Sequence, residues 1–460
     1  MSENNLPRVR VELGPMAHGG HCVARHEGRV IFVRHGIPGE VVTVALTDAG
    51  EKSRFWRGDV IQVHRASEHR RTHFWLAADS LKTHAARNLP VGGAEYGHIH
   101  LPHQRRLKNQ VFRDTLNRIG KLQVEAYVEE LPDEDPQGLG WRTRSSFAIG
   151  PTGVMGMHPH RSNRISAVKN FPLAHPRINE LKLWTLPLRG AQRIHAATSA
   201  EGENLVVLEW LHRITRSTTE VVKQQLDSYA EQLHPVLSEL PNLNVALLMV
   251  SDPKHPSRRQ LLTLTENTAL TETATIDGTD YSWQVSADGF WQIHRNAPAT
   301  LATAMLEMLQ PEAGQHVADL YAGAGLFTAV LATAVGETGR VDSVEASPIT
   351  SADAATNFAH QPQVQVTRAM VETFLKRAKT SWDAIVLDPP RAGAGPEVIA
   401  ALVAKDIPKI CYVSCDPASF ARDAADLVQA GYSLEEVRVF DMYPNTHHME
   451  SVSLFTRKVV

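Results

Sequence analysis

The chain contains few cysteines and no long apolar run, and both deficits narrow what the protein can be. Three cysteines occur among 460 residues, which provides neither a disulfide framework nor a zinc or iron–sulfur ligand set. Residues 1–7 are short and polar, and no uninterrupted apolar run approaches membrane-spanning length. We therefore expect a cytoplasmic protein without membrane contacts, and we expect it to act as a monomer.

The chain is too long for one compact core, and its length predicts about three domains. Acidic and basic side chains are unevenly distributed along it. The formal net charge of the whole chain is −3. Residues 1–120 contain 18 Lys and Arg against 11 Asp and Glu, a net charge of +7, and the remainder contains 29 against 39, a net charge of −10. This asymmetry favours an N-terminal part that faces a polyanion, although a merely solvated basic face would have the same composition.

Short apolar segments separated by turn residues fill the N-terminal region. They occur at 9–13, 30–33, 41–46 and 60–63, and glycines punctuate the chain between them. The spacing predicts a small closed β-barrel of the oligonucleotide-binding kind over residues 7–66. A purely structural barrel fits the pattern equally well, and the basic charge favours RNA binding.

Residues 67–280 have a mixed pattern that predicts a central α+β domain. A helix is predicted over 104–120, with strand-like runs at 205–210 and 245–250. The polar side of the helix is rich in basic residues, namely Arg105, Arg106, Lys108, Arg113 and Arg118. We expect this domain to contact RNA, and the helix is also able to pack against the C-terminal domain.

Residues 281–460 alternate strictly between strand-like and helix-like segments. Strands are predicted at 316–320, 340–344, 364–367, 384–387 and 410–414, followed by a terminal antiparallel pair at 437–440 and 452–455. This alternation predicts a doubly wound, mainly parallel α/β sheet of the Rossmann-like type.

Two strand ends of this sheet indicate an adenosine-containing cofactor. The first strand leads into a glycine turn that contains Tyr321, Gly323 and Gly325, where a ligand can approach the backbone closely. The second strand ends at Glu345, twenty positions after Gly325, where a carboxylate can accept both hydroxyls of a ribose. Open α/β sheets bind ligands at this edge.

The later strands bring reactive side chains to the same edge. One delivers Asp388 before two prolines, a segment that could also be an ordinary turn. The next delivers Cys415 just before a helix that begins near Ala418, and we expect the helix dipole to stabilise the thiolate. Cys411, within the strand, is better interpreted as a buried core thiol. The final loop brings Glu450 close to Cys415.

A cysteine beside a carboxylate suits methylation of a pyrimidine at C5. The C5 carbon is not nucleophilic enough to attack a methyl sulfonium unaided, and thiolate addition at C6 turns it into an enolate equivalent. After methyl transfer, a base must remove the C5 proton so that the cysteine can leave.

These residues resemble the RNA 5-methyluridine methyltransferases, and the barrel resembles that family's TRAM domain. The resemblance covers nearly the whole chain and is strongest in Asp388-Pro389-Pro390-Arg391-Ala392-Gly393, Tyr412-Val413-Ser414-Cys415 and His448-Met449-Glu450-Ser451. It implies a class I methyltransferase domain that transfers a methyl group from S-adenosylmethionine to C5 of a uridine in ribosomal or transfer RNA. Cys415 is implied as nucleophile and Glu450 as base. Cofactor contacts are implied for Gln292, Tyr321, Glu345 and Asp388, beside the loop glycines Gly323 and Gly325.

Several positions depart from the family pattern around these groups. Tyr443 stands where Phe is usual, His294 where Asn tends to follow the Gln292 motif, and Asp416 where Asn usually follows the cysteine. Asn445 and Leu326 also differ from the usual residues. Because Asp416 adds a negative charge beside the thiol, we expect it to raise the pKa of Cys415. Asp416→Asn should therefore leave activity intact or improve it.

Many relatives carry an iron–sulfur cluster, for which this chain lacks the ligands. The matching segments read Val91-Gly92-Gly93-Ala94 and Phe171-Pro172-Leu173, without cysteine, so we expect no cluster and no other bound metal. His98, His100 and His103 are nearby and could act as replacement ligands, but a solvated or RNA-facing loop is the simpler interpretation.

Two other functions fit part of the pattern. The Asp388 segment could serve methylation of an exocyclic base amine, with Cys415 structural. A non-catalytic RNA-binding or RNA-folding protein could also retain this fold, and it would bind RNA in a salt-sensitive way without binding the cofactor.

Overall fold

A computed structural model describes residues 6–50 and 52–458 of the chain. Its strands form four sheets, of six, seven, two and eight strands. None of the helices in the described residues combines the length and the apolar character that a membrane crossing requires.

The N-terminal sheet has six strands in the order β1-β5-β6-β4-β3-β2. Their bounds are β1 Arg8–Glu12, β2 Met16–Ala17, β3 His21–His26, β4 Arg29–Arg34, β5 Val41–Asp48 and β6 Phe55–Arg65. The segment 8–17 pairs at both ends of the sheet, through β1 with β5 and through β2 with β3. The sheet therefore closes on itself, as a barrel requires. The sequence pattern missed β3, in which polar residues flank the three apolar residues Cys22, Val23 and Ala24.

Two helices follow the barrel, α1 (Ser80–Ala85) and α2 (Leu101–Thr115), and a π-helical turn over Leu116–Gly120 extends α2. One part of α2 packs into the barrel core through Leu107 and Val111, whereas its Phe112, together with Leu116 of the π-helical turn, packs into the core of the C-terminal domain. The helix therefore joins the two domains.

The prediction of a basic, polar side for this helix was partly wrong. Lys108 is fully buried, and its ammonium group pairs with the buried carboxylate of Asp441. Arg105 is also largely buried and pairs with Glu130 and Glu134. Lys108 shares the buried side of the helix with Leu101, Gln104 and Val111, in accordance with helical spacing. These two cations stabilise the domain contact and are not available to RNA.

The central sheet has seven strands in the order β10-β9-β8-β11-β12-β13-β14. Their bounds are β8 Arg144–Ile149, β9 Met155–Met157, β10 Ser166–Ala167, β11 Arg193–Thr198, β12 Asn204–Leu211, β13 Leu243–Asp252 and β14 His255–Thr263. The two helices of this region are α3 Pro176–Glu180 and α4 Thr219–Leu237. The strands predicted at 205–210 and 245–250 are β12 and β13, a parallel pair joined through α4.

Two elements of the predicted central region pack against the C-terminal domain. Strand β7, Val128–Glu129, pairs with the C-terminal sheet. The hairpin of β15 (Ala269–Ile276) and β16 (Thr279–Ser286) crosses the predicted boundary at residue 280 and carries Trp283 into the C-terminal core. A hairpin has the same local pattern whichever domain it packs against, so the sequence pattern does not assign these two strands to a domain.

The C-terminal sheet has the order β19-β18-β17-β20-β21-β23-β22-β7. Its strands are β17 His316–Leu320, β18 Arg340–Glu345, β19 Val364–Arg368, β20 Ala384–Leu387, β21 Lys409–Ser414, β22 Tyr432–Phe440 and β23 Glu450–Arg457. Its helices are α5 Ala297–Leu309, α6 Leu326–Val335, α7 Pro348–Asn357, α8 Val371–Arg377, α9 Pro396–Ala404 and α10 Pro417–Gln429. The seven predicted strands are confirmed, including the antiparallel pair, of which β23 inserts between β21 and β22.

Candidate active site

The predicted reactive side chains lie at the carboxyl edge of the parallel strands. The glycine loop follows β17, Glu345 ends β18, Asp388 follows β20 and Cys415 follows β21. Glu450 begins β23, which runs antiparallel to β21, so its first residue lies at the same edge. The strand order reverses between β17 and β20, and open α/β sheets bind ligands at such a point.

Strand register brings Cys415 and Glu450 together. Ser414, the last residue of β21, pairs with Ser451 of β23, and the Ser451 hydroxyl donates a hydrogen bond of 3.3 Å to the Ser414 carbonyl. Continuing this register by one residue would set Cys415 opposite Glu450, and the charge of Glu450 does act on the Cys415 thiol. Directly opposed residues of an antiparallel pair have Cβ atoms about 5 Å apart, within reach of one substrate base.

The surroundings of Cys415 disfavour its thiolate. Burial raises the pKa of the thiol to about 12, and the charges of Glu450 and Asp388 act in the same direction. The guanidinium of Arg391 opposes them, and the charge of Asp416 makes a smaller upward contribution. The expectation that the helix dipole would stabilise the thiolate was wrong for the protein without its ligands.

The reason lies in the cap of helix α10. Asp416 is its N-cap residue, and Oδ1 accepts the backbone N–H groups of Ala418 at 2.9 Å and Ser419 at 2.8 Å. The donors at the helix N-terminus are therefore satisfied by Asp416 rather than by the neighbouring thiol. Oδ2 of Asp416 lies 2.9 Å from Nε2 of His18 in the barrel.

Glu450 is buried, with 4% of its surface exposed. Burial raises the pKa of its carboxyl well above the usual value, and the charge of Asp388 adds to the effect. A hydrogen bond of 3.0 Å from the Tyr443 hydroxyl and the charge of Arg391 act in the opposite direction. Without ligands, this carboxyl therefore tends to hold its proton.

Asp388 lies beside Gln292, as the predicted cofactor site requires. The Gln292 amide donates a hydrogen bond of 3.4 Å to Asp388. Burial and the charge of Asp319 raise the pKa of Asp388 to about 7. Asp319 itself has its pKa raised to about 7 by burial, although Thr328 donates a hydrogen bond to it.

Glu345 is held in a different way, by backbone donors. Its two carboxylate oxygens accept the N–H groups of Gly323 at 3.0 Å and Ser347 at 2.6 Å. A Cβ built on Gly323 meets no atom within 4 Å, so the loop borders open space. Tyr321 has the left-handed φ of 64° that turns the chain there. An oriented carboxylate beside an open glycine loop fits the ribose of an adenosine-containing cofactor.

Gly325 has a packing role that the motif did not indicate. It is the N-cap of α6 with a φ of 100°, and a Cβ there would lie 2.2 Å from the ring of Phe358. Its carbonyl accepts a hydrogen bond of 3.1 Å from the Trp283 indole. A side chain at this position would disrupt the core, so the glycine is explained without a cofactor contact.

The barrel forms one wall of the site, which sequence reasoning missed. A cavity of about 180 Å³ is lined by Cys415 and Arg391 on one side and by the barrel turn 17–20 on the other. The histidines 447 and 448 also line it, and a Cβ on Gly20 would lie 2.8 Å from His447 Cβ. The sequence signal was limited to the turn glycines Gly19 and Gly20, which indicate a turn but not its neighbour.

The histidines proposed as replacement metal ligands do not converge. His98 is buried, with Nε2 3.5 Å from the Gly36 carbonyl, whereas His100 is exposed and His103 stacks on His69. The expectation of a solvated loop therefore fits His100 but not His98. Within residues 6–50 and 52–458, the one group of three side chains whose possible ligand atoms lie within 4.8 Å of one another is Glu95, His447 and His448. Glu95 and His447 already satisfy each other through a short hydrogen bond.

The positions that match the cluster cysteines of relatives carry apolar side chains in the central core. Val91, Ala94 and Phe171 are each at most 3% exposed and belong to one apolar cluster with Trp75 and Phe147. These residues offer no thiolate, so they do not fit an iron–sulfur cluster, and packing occupies the position instead.

This open sheet, with its glycine loop, its anchored carboxylate at the end of β18 and its reactive edge, is that of a class I S-adenosylmethionine-dependent methyltransferase. The model of the tRNA (uracil-5-)-methyltransferase family matches residues 154–458, and the TRAM domain model matches residues 8–61. The chain belongs to this family and is an S-adenosylmethionine-dependent RNA (uracil-C5) methyltransferase with an N-terminal TRAM domain.

Relatives align along almost the whole chain. An uncharacterized RNA methyltransferase of Bifidobacterium longum is 33% identical, covering 99% of this chain and 98% of the relative. The 23S rRNA (uracil(1939)-C(5))-methyltransferase of Hahella chejuensis is 28% identical over 98% of this chain and 97% of its own. The structure of a tRNA (uracil-54, C5)-methyltransferase of Pyrococcus abyssi, in complex with S-adenosyl-L-homocysteine, has a TM-score of 0.65 at 19% identity. It covers 97% of this chain and 100% of its own and shares the fold.

Proposed function

We propose that the enzyme methylates its target uridine through a covalent adduct, with Cys415 as the nucleophile and Glu450 as the base. The observation that carries the proposal is the register of β21 and β23: their last pair, Ser414 and Ser451, is adjacent to Cys415 and to Glu450 at the ligand edge, and the charge of Glu450 acts on the thiol. A thiol in the core or a carboxyl on another edge would not serve one pyrimidine ring.

The bonds change in two stages. The Cys415 thiolate forms an Sγ–C6 bond, and the electrons of the C5–C6 double bond make C5 nucleophilic. Bound S-adenosylmethionine supplies an electrophilic methyl group on a cationic sulfonium. Once C5 has gained the methyl group, the Glu450 carboxylate accepts the C5 proton, the C5–C6 double bond forms again, and the Sγ–C6 bond breaks to release the thiolate.

The electrostatics of the site support a mechanism that is activated by its ligands. Cys415, Asp388 and Glu450 all have raised pKa values in the ligand-free protein, chiefly because burial disfavours their ionised forms. The charge of Asp388 adds to this effect on Cys415 and Glu450, and the charge of Asp319 adds to it on Asp388. A cationic cofactor bound beside them favours the ionised forms of all three. Arg391 provides a fixed positive charge in the same direction.

The cofactor would be held by the other side of the edge. Glu345, oriented by backbone donors, would accept the ribose hydroxyls, and the loop containing Tyr321, Gly323 and Gly325 would let the cofactor approach the backbone. Gln292 and Asp388 would bind near the reacting end, where they already contact each other. For Gly325, the proposed contribution is to allow the turn.

The RNA would be held mainly by the barrel and the central domain, and the target base must leave its stack to reach the cavity. Ribosomal and transfer RNA are both candidates, since the Hahella relative modifies 23S rRNA and the Pyrococcus neighbour modifies tRNA. We favour ribosomal RNA because the Hahella relative is the more similar in sequence along the whole chain.

Covalent trapping tests the mechanism. RNA containing 5-fluorouridine at the target has no C5 proton to lose, so the wild-type enzyme should form a stable RNA–protein adduct after methyl transfer. Cys415→Ala should form none, and Cys411→Ala, which alters a buried thiol four residues away, should form the wild-type adduct. If the wild type fails to trap on an RNA that it methylates, the covalent mechanism is wrong and methylation at an exocyclic amine becomes the better hypothesis.

Mapping 5-methyluridine identifies the substrate. Ribosomal and transfer RNA from cells with and without the gene should differ at one or a few uridines. Loss of a ribosomal site supports our preference, and loss of a tRNA site overturns it.

A further inference from the structure

Tyr443 lies in the loop between β22 and β23, and its phenol contacts the proposed base. Its hydroxyl donates a hydrogen bond of 3.0 Å to Oε2 of Glu450. Within residues 6–50 and 52–458, the structure records no hydrogen bond from another group to this carboxyl. One oxygen of Glu450 is therefore engaged, and the other is left for a substrate proton.

The position of Tyr443 is determined by contacts on several sides. Its carbonyl accepts hydrogen bonds of 3.1 Å from the buried Lys108 ammonium and from the backbone N–H of Thr446. The edge of its ring meets Trp141 at a centroid distance of 5.9 Å, and Trp141 in turn stacks on His294. The hydroxyl therefore cannot turn away from Glu450 without disturbing this packing.

The tyrosine remains a donor over the whole working pH range. Burial and the charges of Glu450 and Cys415 raise the pKa of its hydroxyl well above 10. A phenol that keeps its proton can donate to the carboxylate but cannot replace it as a base. A hydrogen bond to the charged form of a buried acid favours that form, and this opposes the effect of burial on Glu450.

We propose that Tyr443 is a positioning residue for proton abstraction: its hydroxyl holds Oε2 of Glu450, so that the second oxygen is oriented toward the C5 proton of the methylated adduct. The inference rests on the proposed covalent mechanism and concerns its second stage alone. Adduct formation and methyl transfer precede this step and do not require Glu450 as a base.

Tyr443→Phe tests the proposal because it keeps the ring and removes the hydroxyl. On ordinary substrate RNA we expect kcat to fall about tenfold, the loss of one hydrogen bond to a charged group, and KM for RNA to fall with it, because the slowed step follows adduct formation. The methylated RNA–protein adduct should accumulate during turnover, and the rising limb of the pH profile of kcat should move upward by about one unit. With 5-fluorouridine RNA, the rate and extent of trapping should match the wild type.

Two controls separate a positioning role from a structural one. Tyr127→Phe removes a hydroxyl from an exposed tyrosine, 72% accessible, and should leave every readout unchanged. In a Glu450→Gln background, Tyr443→Phe should have no further effect on adduct resolution, because the group that it positions is already lost. The thermal midpoint of each variant reports whether it is folded.

The outcomes distinguish this inference from the mechanism beneath it. Wild-type trapping together with unaltered turnover and pH profile in Tyr443→Phe would overturn the inference and leave the mechanism intact. Equal losses of trapping and turnover would also overturn it, because Tyr443 would then act before proton abstraction. Absence of trapping in the wild type would remove the mechanism itself.

Discussion

The two glutamates at the edge of the C-terminal sheet are the same residue type in opposite settings. Glu345 accepts two backbone N–H groups and borders the open space above the glycine loop. Glu450 is buried beside Asp388 and across from Cys415, and its recorded donor is one tyrosine hydroxyl. The first setting suits a fixed acceptor and the second a group that must gain and lose a proton.

Under the proposed roles, one sheet edge supports both cofactor binding and chemistry. On the cofactor side, fixed backbone dipoles orient the carboxylate whatever else is bound. On the catalytic side, buried acids raise one another's pKa values, so their ionisation depends on a cation entering the site. Substitutions on the two sides should therefore change different quantities, namely cofactor affinity on the cofactor side and kcat on the catalytic side.

The largest expected effect is on the catalytic side. Glu450→Gln should lower kcat by about 10²- to 10⁴-fold, the usual contribution of a general base, and RNA–protein adduct should accumulate on ordinary RNA. Affinity for S-adenosylmethionine should stay within about twofold, as measured by calorimetry. A comparable loss of cofactor affinity would mean that Glu450 belongs to the cofactor site and that the division of the edge is wrong.

The matched change on the cofactor side is Glu345→Gln. It replaces a charged acceptor by a neutral amide and should weaken S-adenosylmethionine binding by about 10- to 100-fold. At saturating cofactor, trapping on 5-fluorouridine RNA should still occur, since Cys415 is untouched. Trapping that fails even at saturation would show that Glu345 acts in the chemistry.

The pH dependence of stability sharpens the comparison further. In an unfolded chain an aspartic acid has a pKa of about 3.9, whereas burial raises the pKa of Asp388 to about 7 in the folded, ligand-free protein. The stability from this protonated group is therefore present below about pH 4 and is lost as the pH rises through 7. Asp388→Asn should become more stable than the wild type as the pH rises from 5 to 8, by about 1 to 4 kcal/mol.

Thermal unfolding of wild type and Asp388→Asn at matched pH values measures this difference, and the subtraction removes the contributions of the histidines common to both proteins. Cofactor binding should release protons from the wild type, seen as a buffer-dependent binding enthalpy, and should release fewer from the variant. A stability difference that does not change with pH would show that Asp388 is already ionised without ligand.

The sequence predicted the C-terminal sheet well because each buried parallel strand, such as β20 with Asp388 beyond it, is a short apolar run with a fixed direction. Topology then determines which side chains share an edge. The sequence predicted the environment of those side chains poorly. Lys108 looked solvated because its partner, Asp441, is 333 residues away, and the helix dipole looked available to Cys415 because the capping geometry of Asp416 is not visible in the pattern.

The barrel contact was missed for the same reason. The turn at 17–20 lines the same cavity as Cys415 and His447, which are near the other end of the chain. A local sequence pattern does not predict a contact between residues so far apart. The departure at Tyr443 was noticed in the sequence, but its meaning required the hydrogen bond to Glu450. From the sequence, residues of this kind could be recognised as unusual. Their roles could not be explained, because those roles depend on a distant partner.

The smallest expected effect comes from Asp416, which caps helix α10 and also carries a negative charge beside the Cys415 thiol. Asp416→Asn keeps a good N-cap, so α10 should remain intact, and it removes a charge that contributes only a little to the raised pKa of Cys415. It also removes the negative charge that Asp416 presents to His18 in the barrel. We expect kcat to stay within about twofold of the wild type or to rise slightly, since removing a nearby negative charge favours the thiolate.

Asp416→Ala is the informative companion, because it removes the cap as well as the charge and should destabilise the protein by about 1 kcal/mol. If activity follows the charge, both variants should match or exceed the wild type in the rate of 5-fluorouridine trapping. If it follows the cap, only Asp416→Ala should be slow. A large loss in Asp416→Asn would instead mean that the contact of the Asp416 carboxylate with His18 holds the barrel turn against Cys415, and that the barrel forms part of the catalytic site.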